Sequence, residues 1–204
     1  MNDSNSLPRG FRGAGIAAGI KSSAAQDLAL IVNDGPQLFG TAVFTSNQVV
    51  AAPVTWSRQV VKDHTIAAVL LNSGGANACT GTEGFADTHR SAEKVAEVLS
   101  VSASDTAICS TGLIGVRLPM DAMMKGITTA AENLTINALE DLARAIMTTD
   151  SKPKIACTSK NQSLFTGIAK GAGMLAPTLA TMLSVIMTDA IVEPAIASRI
   201  FEEV

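Results

Sequence analysis

The run Leu28-Ala29-Leu30-Ile31-Val32-Asn33 is apolar at five successive positions and closes on the turn signal Asp34-Gly35-Pro36. It limits the fold more than any other stretch. A strand points alternate side chains to opposite faces, so a strand that is apolar throughout must be covered on both sides. Ala67 to Asn72 repeats the pattern. Further strand candidates are Thr41 to Thr45, Thr106 to Cys109, Leu164 to Ala169 and Met182 to Thr188, and Ser159-Lys160-Asn161-Gln162 reads as a hairpin turn. No repeat, charge block or long Gly/Ser linker separates these segments, so the chain reads as one domain over residues 1–204.

Helix-period segments alternate with the strands. After Thr82, Phe85, Ala92, Val95, Ala96 and Leu99 recur at helical steps, with Asp87 and Arg90 assigned to the polar side. A second helix opens at Pro119 and carries Met120, Met123, Met124 and Ile127, a methionine stripe that suits core filling better than a cofactor site. A third runs from about Ile136 to Met147, and Pro194 opens a fourth.

With 47% hydrophobic and 16% charged residues over 204 positions, the chain has too much apolar surface to stay disordered. Only 3% is aromatic and the net charge is -3, which lacks both the stacking residues and the basic footprint of a nucleic-acid binder. Three scattered cysteines, Cys79, Cys109 and Cys157, form no CxxC pair and suit a reducing, cytoplasmic setting. No secretory h-region is visible at the N-terminus. The uncharged run from Gly171 to Thr188 is broken by Gly173 and Pro177 and reads as protein interior, so no membrane partner is expected.

Two histidines, His64 and His89, and the scattered cysteines give no zinc-site spacing, so no metal is expected. A Cys79–His89 dyad is the sharper reading of those residues; the plainer one is a buried thiol and a solvated imidazole. The glycines of Asn72 to Gly81 and of Gly13-Ala14-Gly15 match neither a phosphate loop nor a dinucleotide fingerprint and read as tight turns with close backbone approach. No cofactor is expected. More promising is Cys109-Ser110-Thr111-Gly112-Leu113-Ile114-Gly115, where small residues leaving a strand can turn N–H groups toward an oxyanion. Lys170, alone in apolar surroundings, is either a satisfied structural cation or a group that holds a carboxylate. Where histidine and cysteine offer no nucleophile, a threonine can act if its own α-amino group is the base, which requires the chain to cut itself; that amine titrates near ~7.7 to 8. On these grounds Thr181 is one candidate among many threonines.

Ordered blocks then carry a specific resemblance: GFRGAGIAAGIK from Gly10, DLALIVNDGP from Asp27, AVFTSNQVVAAPV from Ala42, LNSGGANACTG from Leu71, CSTGLIGVRLPMD from Cys109, AIMTTD from Ala145 and KGAGMLAPTLATMLSVIMTDA from Lys170. Over nearly all residues after the first nine, the chain resembles the ornithine acetyltransferase family, the bifunctional glutamate N-acetyltransferases of arginine biosynthesis. The resemblance implies an α+β fold of packed β-sheets with flanking helices. It implies a precursor cut between Ala180 and Thr181, so that residues 1–180 form an α-chain region and residues 181–204 begin a β-chain region. Thr181 then stands as nucleophile and substrate contact, Thr111 and Gly112 as the oxyanion hole, and Thr148 and Lys170 as substrate-binding residues. Without the resemblance, Thr148 reads as a helix-end hydroxyl capping backbone groups.

The implied reaction moves acetyl from N-acetylornithine to Thr181 and on to glutamate, with acetyl-CoA left open as a further donor. The implied assembly is a heterotetramer of two α and two β chains. Family members are longer, and their downstream half completes the site; the expectation for these 204 residues alone is negligible transfer. Two competing functions are a self-cleaving aminopeptidase of related architecture and a non-catalytic fragment that binds amino acids or awaits a completing chain.

Overall fold

In the computed structural model, residues 5–172 and 181–203 are described, the side chain of Glu202 excepted. Four strands build the first sheet: β1 (Phe11–Ile16), β2 (Leu28–Asn33), β3 (Ala68–Gly75) and β4 (Thr106–Leu113), in that order. β1 and β3 pair antiparallel with β2, and β4 pairs parallel with β3. The apolar run of β2 is covered on both faces, as its composition requires. Leu28, Leu30 and Val32 enter one core cluster while Ala29 and Ile31 enter the other.

Helix α1 (Ala52–Val60) guards the open edge of β4. Its buried Ser57 hydroxyl donates to the Ile108 carbonyl at 2.8 Å and accepts from the Ile108 N–H at 2.9 Å, and Trp56 Nε1 donates to the Thr106 carbonyl at 2.9 Å. These bonds satisfy edge groups that would otherwise invite another strand. Helices α2 (Gly81–Leu99) and α3 (Met120–Glu132) cover the Leu28 face with Ala92, Val95, Met123 and Ile127, so the methionine stripe is core, as expected.

On the opposite face lies α4 (Leu139–Ala145), and beyond it the second sheet of β5 (Lys154–Lys160), β6 (Ser163–Lys170) and β7 (Leu183–Thr188), antiparallel throughout. Leu139, Leu142, Ala143 and Ile146 fill the space between the sheets, meeting Ala29, Ile31 and Leu71 on one side and Ile168 and Met187 on the other. Helix α5 (Pro194–Glu203) follows β7. The arrangement is α+β, with packed sheets and flanking helices.

Several expectations change. Residues 41–45 hold no strand, while β1, β5 and α1 were not expected, and the third helix is shorter than Ile136 to Met147. Asn161 and Gln162 do turn the β5–β6 hairpin, with φ of 51° and 65°. The Gly13-Ala14-Gly15 glycines lie in β1 rather than a turn, yet close approach is their reason: a Cβ on Gly15 would sit 2.2 Å from the Asp141 carbonyl oxygen. Asp87 is buried and ion-paired with Arg117 at 2.8 Å, not on a polar face. Cys79 is exposed rather than buried. Of the run Gly171 to Thr188, residues 183–188 form β7 and residues 173–180 lie outside the described residues. Among the described residues no helix is long and apolar enough to cross a membrane.

Candidate active site

The site begins where the parallel β3–β4 ladder ends. Ser73 pairs with Thr111 and Gly74 with Gly112, and the register then shifts at Gly75. Gly112 has φ 130° and Gly74 has φ 127°, so the two backbones meet at their glycines; a Cβ on Gly112 would stand 2.5 Å from the Gly74 carbonyl carbon. Buried Asn72 braces the irregularity. Its Nδ2 donates to the Gly75 carbonyl at 3.1 Å, and its Oδ1 accepts from the Ser110 hydroxyl at 2.6 Å.

The second sheet delivers the cation. Lys170, the last residue of β6, is only 4% exposed. Its Nζ donates to Thr111 Oγ1 at 3.2 Å and to the Thr181 carbonyl oxygen at 2.9 Å. Thr181 is half-buried and reaches this point because Lys170 pairs with Leu183 at the start of β7, two residues downstream. Thr111, Lys170 and Thr181 thus form one hydrogen-bonded chain, with Gly112 adjoining it. Ala180, and with it the expected cleavage bond, lies outside the described residues.

Thr148 joins less directly. It is exposed, and its backbone N–H donates to Asp150 Oδ2 at 3.2 Å. It lies two residues past Ile146, the C-cap of α4, so it is not the helix-end cap. Asp150 is buried and also accepts from the Gly171 N–H at 2.9 Å and from Lys154 Nζ. Asp150 therefore stands between Thr148 and the residue after Lys170. Lys21 adds a further anchor, donating to the carbonyls of Met147 at 2.8 Å and Gln26 at 3.0 Å.

Burial pushes the Lys170 ammonium below its ordinary range; nearby Asp150 opposes that shift and Lys154 adds to it. Burial likewise lowers Lys21, with Asp27 and Asp150 opposing and Lys170 adding. Burial would raise the Asp150 carboxyl, but Lys154 and the Gly171 and Thr148 N–H groups outweigh it and bring it to about 2. Cys109, on β4 two residues before Thr111, is pushed up to about 11 by burial, which removes it as a thiolate at neutral pH. The geometry has a chemical consequence. By accepting a Lys170 proton, the Thr111 oxygen leaves its own O–H free to donate, and a cation stands within hydrogen-bond distance of it.

Sequence reading missed Asp150, Lys21 and Lys154. Asp150 stands in the quoted AIMTTD block but looks like a loop carboxylate, and no spacing links positions 21, 150, 154 and 170. A cavity of about 420 Å³ lies elsewhere, at the start of α3, where Arg117 is already committed to Asp87 and Glu83. Among the described residues no group of three acidic, histidine or cysteine side chains is placed to hold a metal.

Two sheets whose ends meet at a threonine–lysine–threonine chain have close relatives among solved structures. Ornithine acetyltransferase from Mycobacterium tuberculosis, solved with ornithine, superposes with a TM-score of 0.78 at 46% identity, covering 88% of this chain and 97% of that one. An arginine biosynthesis bifunctional protein ArgJ from Bacillus halodurans gives 0.76 at 34% identity, covering 88% and 95%. The family model described as the ArgJ family matches residues 12–204, and the chain belongs to that family. The arginine biosynthesis bifunctional protein ArgJ of Streptomyces coelicolor is 55% identical over 191 residues, which are 94% of this chain and 50% of that protein. The chain spans about half the length of the curated relatives it matches.

Proposed function

We propose that the chain is the acyl-accepting part of a self-cleaving acetyltransferase of arginine biosynthesis. It carries acetyl from N-acetylornithine to glutamate through an ester on Thr181. The observation that carries this reading is the buried Lys170 ammonium, which joins Thr111 of one sheet to Thr181 beside the other. Residues 1–180 act as the α region and residues 181–204 begin the β region. A downstream half, in a complex of two α and two β chains, completes the site.

Cleavage comes first. Thr181 Oγ adds to the Ala180 carbonyl carbon, its hydroxyl proton passes to the Thr181 nitrogen as the C–N bond between Ala180 and Thr181 breaks, and the acyl group rests on oxygen as an ester. Water then hydrolyses the ester, which frees the Ala180 carboxylate and the Thr181 α-amine. That amine can accept a proton near neutral pH, which the peptide nitrogen it replaces cannot.

In transfer, the amine takes the hydroxyl proton while Oγ attacks the acetyl carbonyl of N-acetylornithine. The same proton goes to the departing amine of ornithine. Glutamate's amine then attacks the acetyl ester, and Thr181 Oγ recovers a proton as N-acetylglutamate leaves. In both half-reactions the carbonyl oxygen gains negative charge, and the Thr111 hydroxyl and Gly112 N–H stabilise it. Lys170 supports that charge through Thr111, and Thr148 contacts substrate at the exposed side.

The test is the intact mass of the chain, followed by assay of N-acetylornithine and glutamate after adding a separately made downstream half. We expect cleavage after Ala180 and formation of N-acetylglutamate, both lost in Thr181→Ala. Thr111→Ala should leave a folded protein with about a hundred- to thousand-fold slower transfer. Cleavage surviving in Thr181→Ala overturns the nucleophile assignment. Release of acetate without transfer supports the hydrolase instead.

A further inference from the structure

We propose that Asp150 is a positioning residue for the Thr181 centre: its buried carboxylate ties the Thr148 backbone to the Gly171 backbone, and its charge holds Lys170 in place as a cation. The inference rests on the reading of Thr181 and Lys170 given above. Three observations carry it.

The first is connectivity. Asp150 Oδ2 accepts from the Thr148 N–H and Asp150 Oδ1 from the Gly171 N–H, so one carboxylate spans the loop after α4 and the end of β6. The only covalent route between those two points runs through the whole β5–β6 hairpin. A small shift of either segment breaks a bond of the pair, so the two candidate substrate contacts, Thr148 and Lys170, cannot move independently.

The second is burial. The Asp150 side chain is 0% exposed, whereas its partner Lys154 is 44% exposed. A carboxylate so enclosed must be paired and hydrogen-bonded to stay ionised, and Asp150 has one ammonium and two backbone donors. Lys154 alone could be paired at the surface with far less desolvation. The inward placement instead sets the charge beside Gly171 and hence next to Lys170.

The third is the charge around Lys170. Asp150 comes from the loop after α4, Lys154 from β5 and Lys21 from the loop after β1; among the described residues, β4 contributes the neutral Thr111 hydroxyl and the segment before β7 the neutral Thr181 carbonyl. Two of those three charges repel the Lys170 ammonium and one attracts it. A buried lysine amid two other lysines keeps its proton only if a counter-charge stands close. With its proton kept, Lys170 donates to both Thr111 and Thr181 as a cation, which strengthens both bonds and leaves a third N–H to spare.

The test reads Lys170 itself. Lysine labelled with ¹³C at Cε is introduced into the 204-residue chain in a Thr181→Ala background, which keeps the backbone carbonyl at that position and excludes any cleavage. Lys170→Arg assigns the signal. Asp150→Asn should lower the titration midpoint of Lys170 by about one pH unit or more. Lys154→Met should raise it, because a repelling charge is removed and Asp150 loses its other partner. Asp150→Glu should restore most of the effect of Asp150→Asn. The amides of Thr148 and Gly171 should exchange faster together in Asp150→Asn.

Opposite signs for the two variants are the signature of a charge acting on Lys170, which a merely structural role would not give. An unchanged Lys170 midpoint in folded Asp150→Asn overturns the proposal. If that variant fails to fold, Lys154→Met decides alone, and an unchanged or lowered midpoint there overturns it as well. Because no turnover is measured, this result stands apart from the transfer assay that tests the proposed function.

Discussion

Replacing Gly112 by alanine should injure the fold at the point where it meets the chemistry. Two costs add. A φ of 130° lies outside even the small left-handed region open to other residues, a strain worth about 1–3 kcal/mol. The new Cβ would also stand 2.5 Å from the Gly74 carbonyl carbon, 2.6 Å from the Gly75 nitrogen and 2.8 Å from the Gly74 nitrogen. All three are backbone atoms, so no rotamer change relieves the contact and β3 and β4 must part. Forced overpacking of this kind costs about 1–3 kcal/mol, for a total of about 2–6 kcal/mol.

Gly115 is the internal control. It also has positive φ, 82°, but a Cβ there meets nothing within 4 Å. Gly115→Ala should therefore cost only the local strain, about 1 kcal/mol. Urea unfolding followed by circular dichroism separates the two: with a slope near 2 kcal/mol per M, the Gly112→Ala midpoint should fall by about 1–3 M and that of Gly115→Ala by about 0.5 M. Equal shifts in the two variants, or an unshifted Gly112→Ala, would refute the claim that the β3–β4 approach needs glycine at position 112.

Two further outcomes follow from burial. Iodoacetamide at pH 8 should add to Cys79 and Cys157, which are exposed, and spare Cys109, whose thiol at about 11 is ionised in only about one part in a thousand; mass spectrometry of the native chain should show two adducts, and a third at the same rate would contradict the enclosure of the Cys109 thiol. Asp150 is held at about 2 against an ordinary 3.8, so its contribution to stability is fully present above the unfolded value and is lost as pH falls from about 4 toward 2. Wild type should exceed Asp150→Asn by on the order of 2 kcal/mol at pH 6 and by less than about 0.5 kcal/mol at pH 2, as followed by thermal melts across that range; an undiminished gap at pH 2 would show that charge is not its source.

What the sequence disclosed, it disclosed through periodicity. The two-sided burial of β2 follows from five apolar residues in a row, and α2, α3 and α5 announce themselves by their stripes or by an opening proline. What it hid depends on partners far along the chain. β1, with the sequence FRGAGI, looks like a turn because Gly15 is there to admit the Asp141 backbone, 126 residues away. β5 is exposed along its whole length and carries no alternation to read. Asp87 looks polar-faced on α2 because Arg117, the residue that neutralises it, lies on the approach to α3. In the site, the Cys109–Gly115 segment, Lys170 and Thr181 stand out by their chemistry and take their roles from the resemblance, and the structure brings Thr111, Gly112, Lys170 and Thr181 together, whereas Asp150 has no signal of its own: its role depends on Gly171 and Lys154 closing around it.

The precision of the Thr111–Lys170 contact is set at a distance, by what separates the two sheets. Thr111 belongs to the first and Lys170 to the second, and their 3.2 Å contact is near the limit at which a hydrogen bond survives, so a relative slide of a few tenths of an ångström decides whether it exists. That spacing is governed by α4 and the two residues that cap it: Ala138, Leu139, Leu142, Ala143, Ala145 and Ile146 are all fully buried. Half of these are alanines, which have no rotamers to change, and the helix is keyed to the first sheet by the Ser73 hydroxyl donating to the Ala145 carbonyl at 2.5 Å. Ser73 is the register partner of Thr111, so the helix is fixed to the very rung of the ladder that carries the candidate oxyanion donor. An interlayer helix built from small side chains holds the sheets closer than aromatic residues would allow, and with only 3% aromatic content the chain has few such residues to spend there. The small-residue composition is therefore part of the site: it lets a lysine at the end of one sheet reach a threonine at the end of the other.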